Sequence, residues 1–306
     1  MMGKIRSIKQ QINYAISKNF KEKVKKRDYK LANGYDMSNK IFSYSEMYRL
    51  KDTARDLNNF LKENEIKRDY VIEITNEDIK KFLESKIETC TQQTLNTYTN
   101  SLYKIQKAIN NTYNSELSWS KSVKAPQTNV SNKSEKRGVE SVISNYDYKK
   151  IVKYAKENRS ESGDAIRLQR EIGVRVEEIV DIKKENINFE KKEILITNSK
   201  GGKRITKKIK NIDLVKAILE KNYDEKFLFS VKSSSINRYL NRVQDKLCLE
   251  RHSFHDLRRR VGQNFYDKAL QQGLSEEKAL LETSKFLNHR TKRKKLMEES
   301  YIKRNK

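Results

Sequence analysis

Apolar side chains recur at every third or fourth position through much of residues 41–120, the spacing of one face of an α-helix. Three such stretches each follow a residue suited to cap a helix, namely Ser45, Thr75 and Thr91. The stretch after Thr75 begins with two acids, which suit the positive end of a helix dipole. Stripes of this kind are typical of a packed core rather than of a base-stacking surface. The pattern therefore predicts a small helical bundle over residues 41–120.

The first forty residues are less regular. Apolar residues between Ile5 and Ile16 have the spacing of a short amphipathic helix, and the basic run Lys21–Arg27 follows. A run of charges is usually a solvated face, and contact with phosphate groups is the alternative. We treat residues 1–40 as a basic N-terminal segment and leave both interpretations of its charge open.

A polar stretch then separates the bundle from the rest of the chain. Residues 121–139 contain Pro126, the only proline, and show little apolar periodicity, as expected of a linker. Residues 140–306 combine helical periodicity with two β-type runs, Glu193–Thr197 and Arg204–Ile209, whose connection contains paired glycines and predicts a hairpin. The expected fold is mostly α, with a helical bundle followed by an α+β domain that holds a small antiparallel sheet. Helices in this second domain are predicted at about 147–158, 163–172, 234–247, 255–271 and 275–288.

The amino-acid composition also indicates a polyanionic partner. The 306 residues include 67 Lys and Arg against 41 Asp and Glu, a formal net charge of +26, and both halves are basic. Because bound phosphates release counterions, a surplus of this size favours nucleic acid over a surface that lysine merely solvates. Cys90 and Cys248 have no metal-ligand or disulfide-framework spacing. With no apolar run near the roughly 20 residues of a membrane span, and no signal-peptide pattern, we expect a cytoplasmic protein.

Six side chains of the second half are suited to phosphodiester chemistry without a metal. Arginine holds phosphate through a planar fork that stays protonated, histidine exchanges protons near neutral pH, and a phenol can attack phosphorus. Taken singly, each residue has an ordinary explanation, such as a surface ion pair or a packing tyrosine. The six are Arg175, Lys200, His255, Arg258, His289 and Tyr301.

The order and spacing of these residues resemble the tyrosine recombinase, or phage integrase, family. That family has a Gly-x-Arg-x-x-Glu/Asp element, a lysine-bearing hairpin, a His-x-x-Arg element, a Leu-Gly-His element and a nucleophilic tyrosine. The resemblance covers residues 140–306 by motif, and 42–120 only by position and helix character. The matching segments, in order, are Gly173–Glu178, Ser199–Arg204, His255–Arg258, Phe286–His289 and Tyr301.

The resemblance implies how a phosphate would be held. Arg175 and Arg258 would bind the scissile phosphate, and Glu178 would support both arginines. His289 would hydrogen-bond the phosphate or support the site. Further contacts with DNA are expected from basic residues near the motifs and in the linker, namely Lys203, Arg204, Arg259, Arg260, Lys121 and Lys124.

The resemblance also implies the proton transfers. Tyr301 would attack and form a 3′-phosphotyrosyl link, with His255 assisting proton transfer at the phenol. Lys200 would protonate the leaving 5′ oxygen, and Lys203 is the competing assignment. Neither a metal nor another cofactor is needed for this reaction.

Double-stranded DNA is the implied partner, bound by a protein that is a monomer when free and a homo-tetramer in the synaptic complex. Accessory DNA-bending or directionality factors are compatible with it. We favour the integrase or excisionase of a mobile element. A Xer-like chromosome-dimer resolvase, an invertase and a type IB topoisomerase share the chemistry. A DNA-binding protein without turnover and a basic RNA-binding protein are the alternatives from other classes.

Three features depart from the family pattern. His289 and Tyr301 are 12 residues apart, which is longer than usual, so the basic segment Arg290–Lys295 is expected to loop out. If it does not, the assignment of the nucleophile stays open, and Tyr266, the other tyrosine after Arg258, has the position of a core residue. The remaining departures are an apparent insertion at Gln271–Lys278 and the replacement of the commoner Pro and Gly by Phe254 and Asn288.

Overall fold

The computed structural model describes residues 6–24, 26–34, 40–130, 138–199, 203–289 and 294–303. It divides into two compact units, Met1–Lys133 and Ser134–Lys306. The described residues are mostly helical and include one three-stranded antiparallel sheet. The predicted fold class is thereby confirmed.

The first unit is a helical bundle. Thr75 and Thr91 cap their helices as predicted, by accepting hydrogen bonds from the N–H groups of Asp78 and Thr94. The prediction that Ser45 caps the preceding helix was wrong, because the Ser43 hydroxyl accepts the bond from Glu46 N–H and that helix begins at Tyr44. The helices are α1 (Ile8–Lys18), α2 (Lys26–Ala32), α3 (Tyr44–Glu63), α4 (Asn76–Glu84), α5 (Gln92–Tyr113) and α6 (Trp119–Ser122).

Residues placed outside the bundle by the sequence contribute to its core. Ile12 and Ile16 of α1 are fully buried and join the same apolar cluster as α3 and α5. Val123, in the predicted linker, is also buried in this cluster, and its backbone N–H donates a hydrogen bond to the Trp119 carbonyl oxygen at 2.9 Å. The bundle core thus extends from α1 to α6, and α1 is not set apart as a basic segment.

The second unit packs helices around a small sheet. β2 pairs antiparallel with β1 and with β3, with Ile194 opposite Ile187 and Ile196 opposite Ile205. The strands are β1 (Ile187–Asn188), β2 (Glu193–Ser199) and β3 (Lys203–Lys208). The helices are α7 (Asn145–Glu157), α8 (Glu161–Ile172), α9 (Val176–Val180), α10 (Ile212–Glu220), α11 (Ser233–Lys246), α12 (Phe254–Gln271), α13 (Glu276–Phe286) and α14 (Lys294–Ser300).

Two segments that the sequence marked as insertions have helical structure in part. The stretch Gln271–Lys278 consists of the last residue of α12, a turn through Gly273 and the beginning of α13 at Glu276. Within Arg290–Lys295, residues 290–293 lie outside the described residues. Lys294 and Lys295 form the first turn of α14 and therefore do not loop out.

The second unit has two apolar clusters. The larger surrounds the sheet, and the smaller joins α12 and α13 to the C-terminal segment. Tyr266 and Tyr301 both belong to the smaller cluster, with 4% and 2% of their surface exposed. Tyr266 is a core residue, as predicted. Among the described helices, none combines the length and apolar character needed to cross a membrane.

Candidate active site

Tyr301 meets two histidines. It follows α14, and its backbone N–H donates to the Met297 carbonyl oxygen at 3.0 Å. Its phenol oxygen lies 3.1 Å from Nε2 of His255, in the first turn of α12. Its ring centroid lies 4.9 Å from that of His289 and 5.6 Å from that of His255, both in edge-on geometry. Three residues far apart in sequence are thus brought together.

His255 is held in its neutral form. Burial, together with the charges of Arg259, Arg258 and Arg175, lowers the pKa of the imidazole to about 4, against the opposing effect of Asp256. A neutral ring protonated at Nδ1 has a lone pair on Nε2. In that tautomer His255 can accept the proton of the Tyr301 phenol.

Arg258 lies beneath this group and has no exposed surface. Its guanidinium donates to the carbonyl oxygen of Gly173 at 2.7 Å and to that of Leu287. Nη1 also lies 3.6 Å from the carboxylate of Glu178. Both the backbone and an acid therefore fix the direction of this guanidinium.

Glu178 contacts the second arginine as well. Arg175 precedes α9, its backbone N–H donates to one Glu178 oxygen at 2.8 Å, and its guanidinium donates to the other at 2.7 Å. Burial alone would raise the pKa of Glu178. The Arg175 N–H, the Ser199 hydroxyl and the two guanidinium charges outweigh burial and lower it. One buried carboxylate thus holds both arginines that the sequence predicted to bind phosphate.

The turn after α13 is tied into the same network. The side-chain amide of Asn288 donates to Ser199 Oγ at 2.8 Å, and that hydroxyl donates to Glu178 at 2.7 Å. Asn288 has φ +53°, a left-handed conformation that Gly and Asn adopt most readily. This accounts for Asn at a position where the family commonly has Gly. The conformation directs the chain into His289.

Arg259 and Arg260 make hydrogen bonds within the second unit. Nη1 of Arg259 bonds to the Ser141 hydroxyl and to Asp256, and Arg260 Nε donates to the Ile143 carbonyl oxygen. Both side chains hold α12 against the segment at 141–143. These bonds leave other guanidinium donors of each side chain for a phosphate, so contact with DNA stays a prediction.

Among the remaining predicted residues, Lys200 lies outside the described residues, and so does the side chain of Lys203. Three of the predicted DNA contacts are exposed, namely Arg204, Lys121 and Lys124. No group of three or more His, Cys, Asp or Glu within the described ranges could hold a metal ion.

Sequence analysis missed Lys207, a buried lysine of β3. The feature of the sequence that could have identified this lysine is the alternation of inward-facing and outward-facing side chains along the strand. Ile205 and Ile209 face inward, so Lys207 must do so as well.

Comparison with known families connects this geometry to a reaction class. Residues 141–274 match the model of the phage integrase family. This part of the chain belongs to the phage integrase family. Among curated proteins, none matches the chain.

Solved structures share the fold at low sequence identity. XerH recombinase bound to palindromic difH substrate is 16% identical, with TM-score 0.64 over 98% of this chain and 91% of that chain. A lambda integrase(75-356) dimer bound to a COC' core site is 14% identical, with TM-score 0.64 over 92% and 96%. The Tn1549 transposon integrase with circular intermediate DNA is 10% identical, with TM-score 0.53 over 94% of each chain.

The phage integrase match includes Arg175, Glu178, His255 and Arg258 but ends before His289 and Tyr301. The geometry of the site connects His289 and Tyr301 to the residues within the match. Both rings lie against each other, and Tyr301 contacts the matched His255. The described part of the site thus brings a phenol, a neutral imidazole and two arginines into one cluster.

Proposed function

We propose that this protein cuts and rejoins duplex DNA through a covalent 3′-phosphotyrosyl intermediate. The contact between the Tyr301 phenol and Nε2 of neutral His255, at 3.1 Å, carries the proposal. A nucleophile hydrogen-bonded to a base, beside groups that stabilise anionic charge, is the arrangement required for attack on a phosphodiester.

The cleavage step is a transesterification. The Tyr301 oxygen bonds to phosphorus while its proton passes to His255 Nε2, and the bond from phosphorus to the 5′ oxygen breaks. The 5′ oxygen leaves with a proton, whose donor we assign to Lys200, with Lys203 as the alternative. Attack by a 5′ hydroxyl, from the same or another duplex, reverses the step and frees the tyrosine.

The two arginines would stabilise the charge that develops on the non-bridging oxygens. Arg175 keeps 22% of its side chain exposed and is the one with surface for a phosphate. Arg258 is enclosed and acts from below. His289, beside the Tyr301 ring, would complete the phosphate site from the opposite side.

We further propose that the protein acts as a homo-tetramer on two DNA sites, in the cytoplasm at the nucleoid, and is a monomer when free. The support is the chemistry, since exchange between duplexes needs four strand cleavages. A lambda integrase of the same fold is a tetramer bound to a Holliday junction.

The finer proposal is that the chain is the integrase or excisionase of a mobile element. It rests on the 12-residue separation of His289 and Tyr301, which is longer than in most of the family. A Xer-like resolvase or an invertase would use the same chemistry on other sites. Two sets of substrates separate them, namely duplexes from the DNA on either side of the gene and palindromic sites from the host chromosome.

A nicked suicide duplex tests the reaction itself. Wild-type protein should give a slowly migrating covalent band on a denaturing gel, which Tyr301→Phe should abolish and the buried control Tyr266→Phe should retain. Joining of an added 5′-hydroxyl duplex distinguishes a recombinase from a topoisomerase that only relaxes DNA. Salt-sensitive binding with no covalent band from the wild type would instead establish a DNA-binding protein without turnover.

A further inference from the structure

Lys207 occupies an inward-facing position of β3. It lies opposite Ile194 in the sheet, and the alternating neighbours Ile205 and Ile209 are apolar and covered. Only 5% of the Lys207 surface is exposed. An apolar residue would fill such a position at a lower cost in folding free energy, because the desolvation of a buried ammonium must be offset by other interactions.

The ammonium of Lys207 reaches the C-terminal end of α13. Nζ donates a hydrogen bond to the carbonyl oxygen of Phe286, the last residue of that helix, and lies 4.4 Å from the centre of its ring. The Phe286 ring is itself stacked on Phe265 of α12, with centroids 4.4 Å apart. The partner of the buried lysine is thus a firmly packed residue.

Two cationic side chains donate hydrogen bonds to consecutive carbonyl groups of this turn. Lys207 binds the Phe286 carbonyl, and Arg258 binds the next one, that of Leu287. The two residues that follow are Asn288, which bonds to Ser199, and His289, whose ring lies against Tyr301. The turn therefore sets the position of His289.

The charges that face Lys207 belong to the active site. Burial, together with the positive charges of Arg258 and Arg175, lowers its pKa to about 7, against the opposing effect of Glu178. A phosphate held by the two arginines would add negative charge nearby and favour the ammonium form. The hydrogen bond from Lys207 to the Phe286 carbonyl oxygen would then become stronger when DNA is bound.

We infer that Lys207 is a positioning residue for strand cleavage, one that holds the turn carrying Asn288 and His289 against strand β3. This inference rests on the proposed function. Lys207 does not touch the reacting atoms. It acts through His289 and through the Leu287 carbonyl that orients Arg258.

Single-turnover cleavage of the suicide duplex tests the inference with a matched control. Lys207→Met should cleave about ten-fold more slowly or worse, since small displacements of catalytic groups cost rate steeply. Lys208→Met should remain within about two-fold of wild type, because the neighbouring side chain is 77% exposed and pairs only with Glu193 at the surface. Thermal unfolding should show that Lys207→Met is no less stable than wild type.

Two further readouts separate positioning from a general structural role. In a His289→Ala background, Lys207→Met should slow cleavage by a smaller factor than in the wild-type background, because the route through His289 is gone and only the route through Arg258 remains. The ratio of wild-type to Lys207→Met rates should also shrink as pH rises from 7 towards 9, where Lys207 loses its charge.

Equal rates for wild type and Lys207→Met, or the same loss in both backgrounds, would overturn the inference while leaving the proposed function intact. Lys207→Gln, which keeps a donor without the charge, serves as a second variant. If both variants lose their tertiary structure, Lys207 is a folding residue and the inference fails. Absence of covalent product from the wild type would instead contradict the proposed function.

Discussion

The Tyr301 phenol oxygen and Nε2 of His255 lie 3.1 Å apart within one chain. The two residues come from the segment after α14 and from the first turn of α12, 46 positions apart. The phenol is therefore placed against a neutral imidazole by the protein's own fold.

His255 should remain uncharged well below neutral pH. Because burial and the neighbouring arginines lower its pKa to about 4, protonation should begin only near pH 5. NMR titration of the histidine side chains in the free protein measures this directly. The folded state binds fewer protons than the unfolded chain between about pH 4 and 6.5, so this residue makes stability fall as pH falls through that window. An ionisation of His255 near 6.5 would contradict the assigned environment.

Glu178→Gln should destabilise the protein by about 3–5 kcal/mol, the cost of breaking a buried ion pair from one side. The variant leaves Arg258, which has no exposed surface, without its only acidic partner among the described residues. Glu177→Gln is the matched control, because Glu177 is exposed and should change stability by no more than about 0.5 kcal/mol. Urea denaturation of the three proteins at neutral pH supplies the values.

The pKa of Glu178 sets the pH dependence of this effect. Its folded-state pKa is lowered, so the stability that it contributes is present at neutral pH and is lost as pH falls through that pKa. The difference between wild type and Glu178→Gln should therefore shrink under strongly acidic conditions. A difference below about 1 kcal/mol at neutral pH would show that the arginines do not depend on this carboxylate.

Gly138→Ala should slow cleavage by about ten-fold or more. Gly138 has φ +62°, and a Cβ atom there would overlap the carbonyl oxygen of Glu299, two residues before the nucleophile. The substitution should therefore shift the end of α14 and, with it, the Tyr301 phenol. Single-turnover cleavage and thermal unfolding measure the two effects separately.

Gly273→Ala is the control for backbone strain. Gly273 also has a positive φ, +82°, but a Cβ atom there meets nothing within 4 Å. Both substitutions should lower stability by roughly 1 kcal/mol through the left-handed conformation, whereas only Gly138→Ala should impair cleavage. Equal cleavage by the two variants would mean that the segment at 138–141 does not position Tyr301.

Local rules predicted the parts of the fold that depend on local sequence. Thr75 and Thr91 cap helices because a hydroxyl three residues before a free N–H suffices for this bond. Tyr266 could be placed in the core from its position on a helix. The short helices α9 and α14 escaped prediction because five and seven residues give too little periodicity.

The candidate site depends on contacts between distant residues, which rules based on local sequence do not predict. His255 and Arg258 share a helix, yet the first faces Tyr301 while the second reaches Glu178, 80 positions earlier in the chain. Arg259 also bonds to the hydroxyl of Ser141, 118 positions away, which its sequence motif did not indicate. Such contacts depend on how helices pack, which no motif records. The hydrogen bond from Lys207 to the last residue of α13 is another contact of this kind.

Location of the covalent link is the most direct test of the central claim, that Tyr301 is the nucleophile. Wild-type protein trapped on a suicide duplex would be digested with nuclease and protease, and the nucleotide-bearing peptide sequenced by mass spectrometry. We predict a single phosphotyrosyl adduct at Tyr301, in the peptide that follows Lys295. An adduct at Tyr266 or at any other residue would contradict the account.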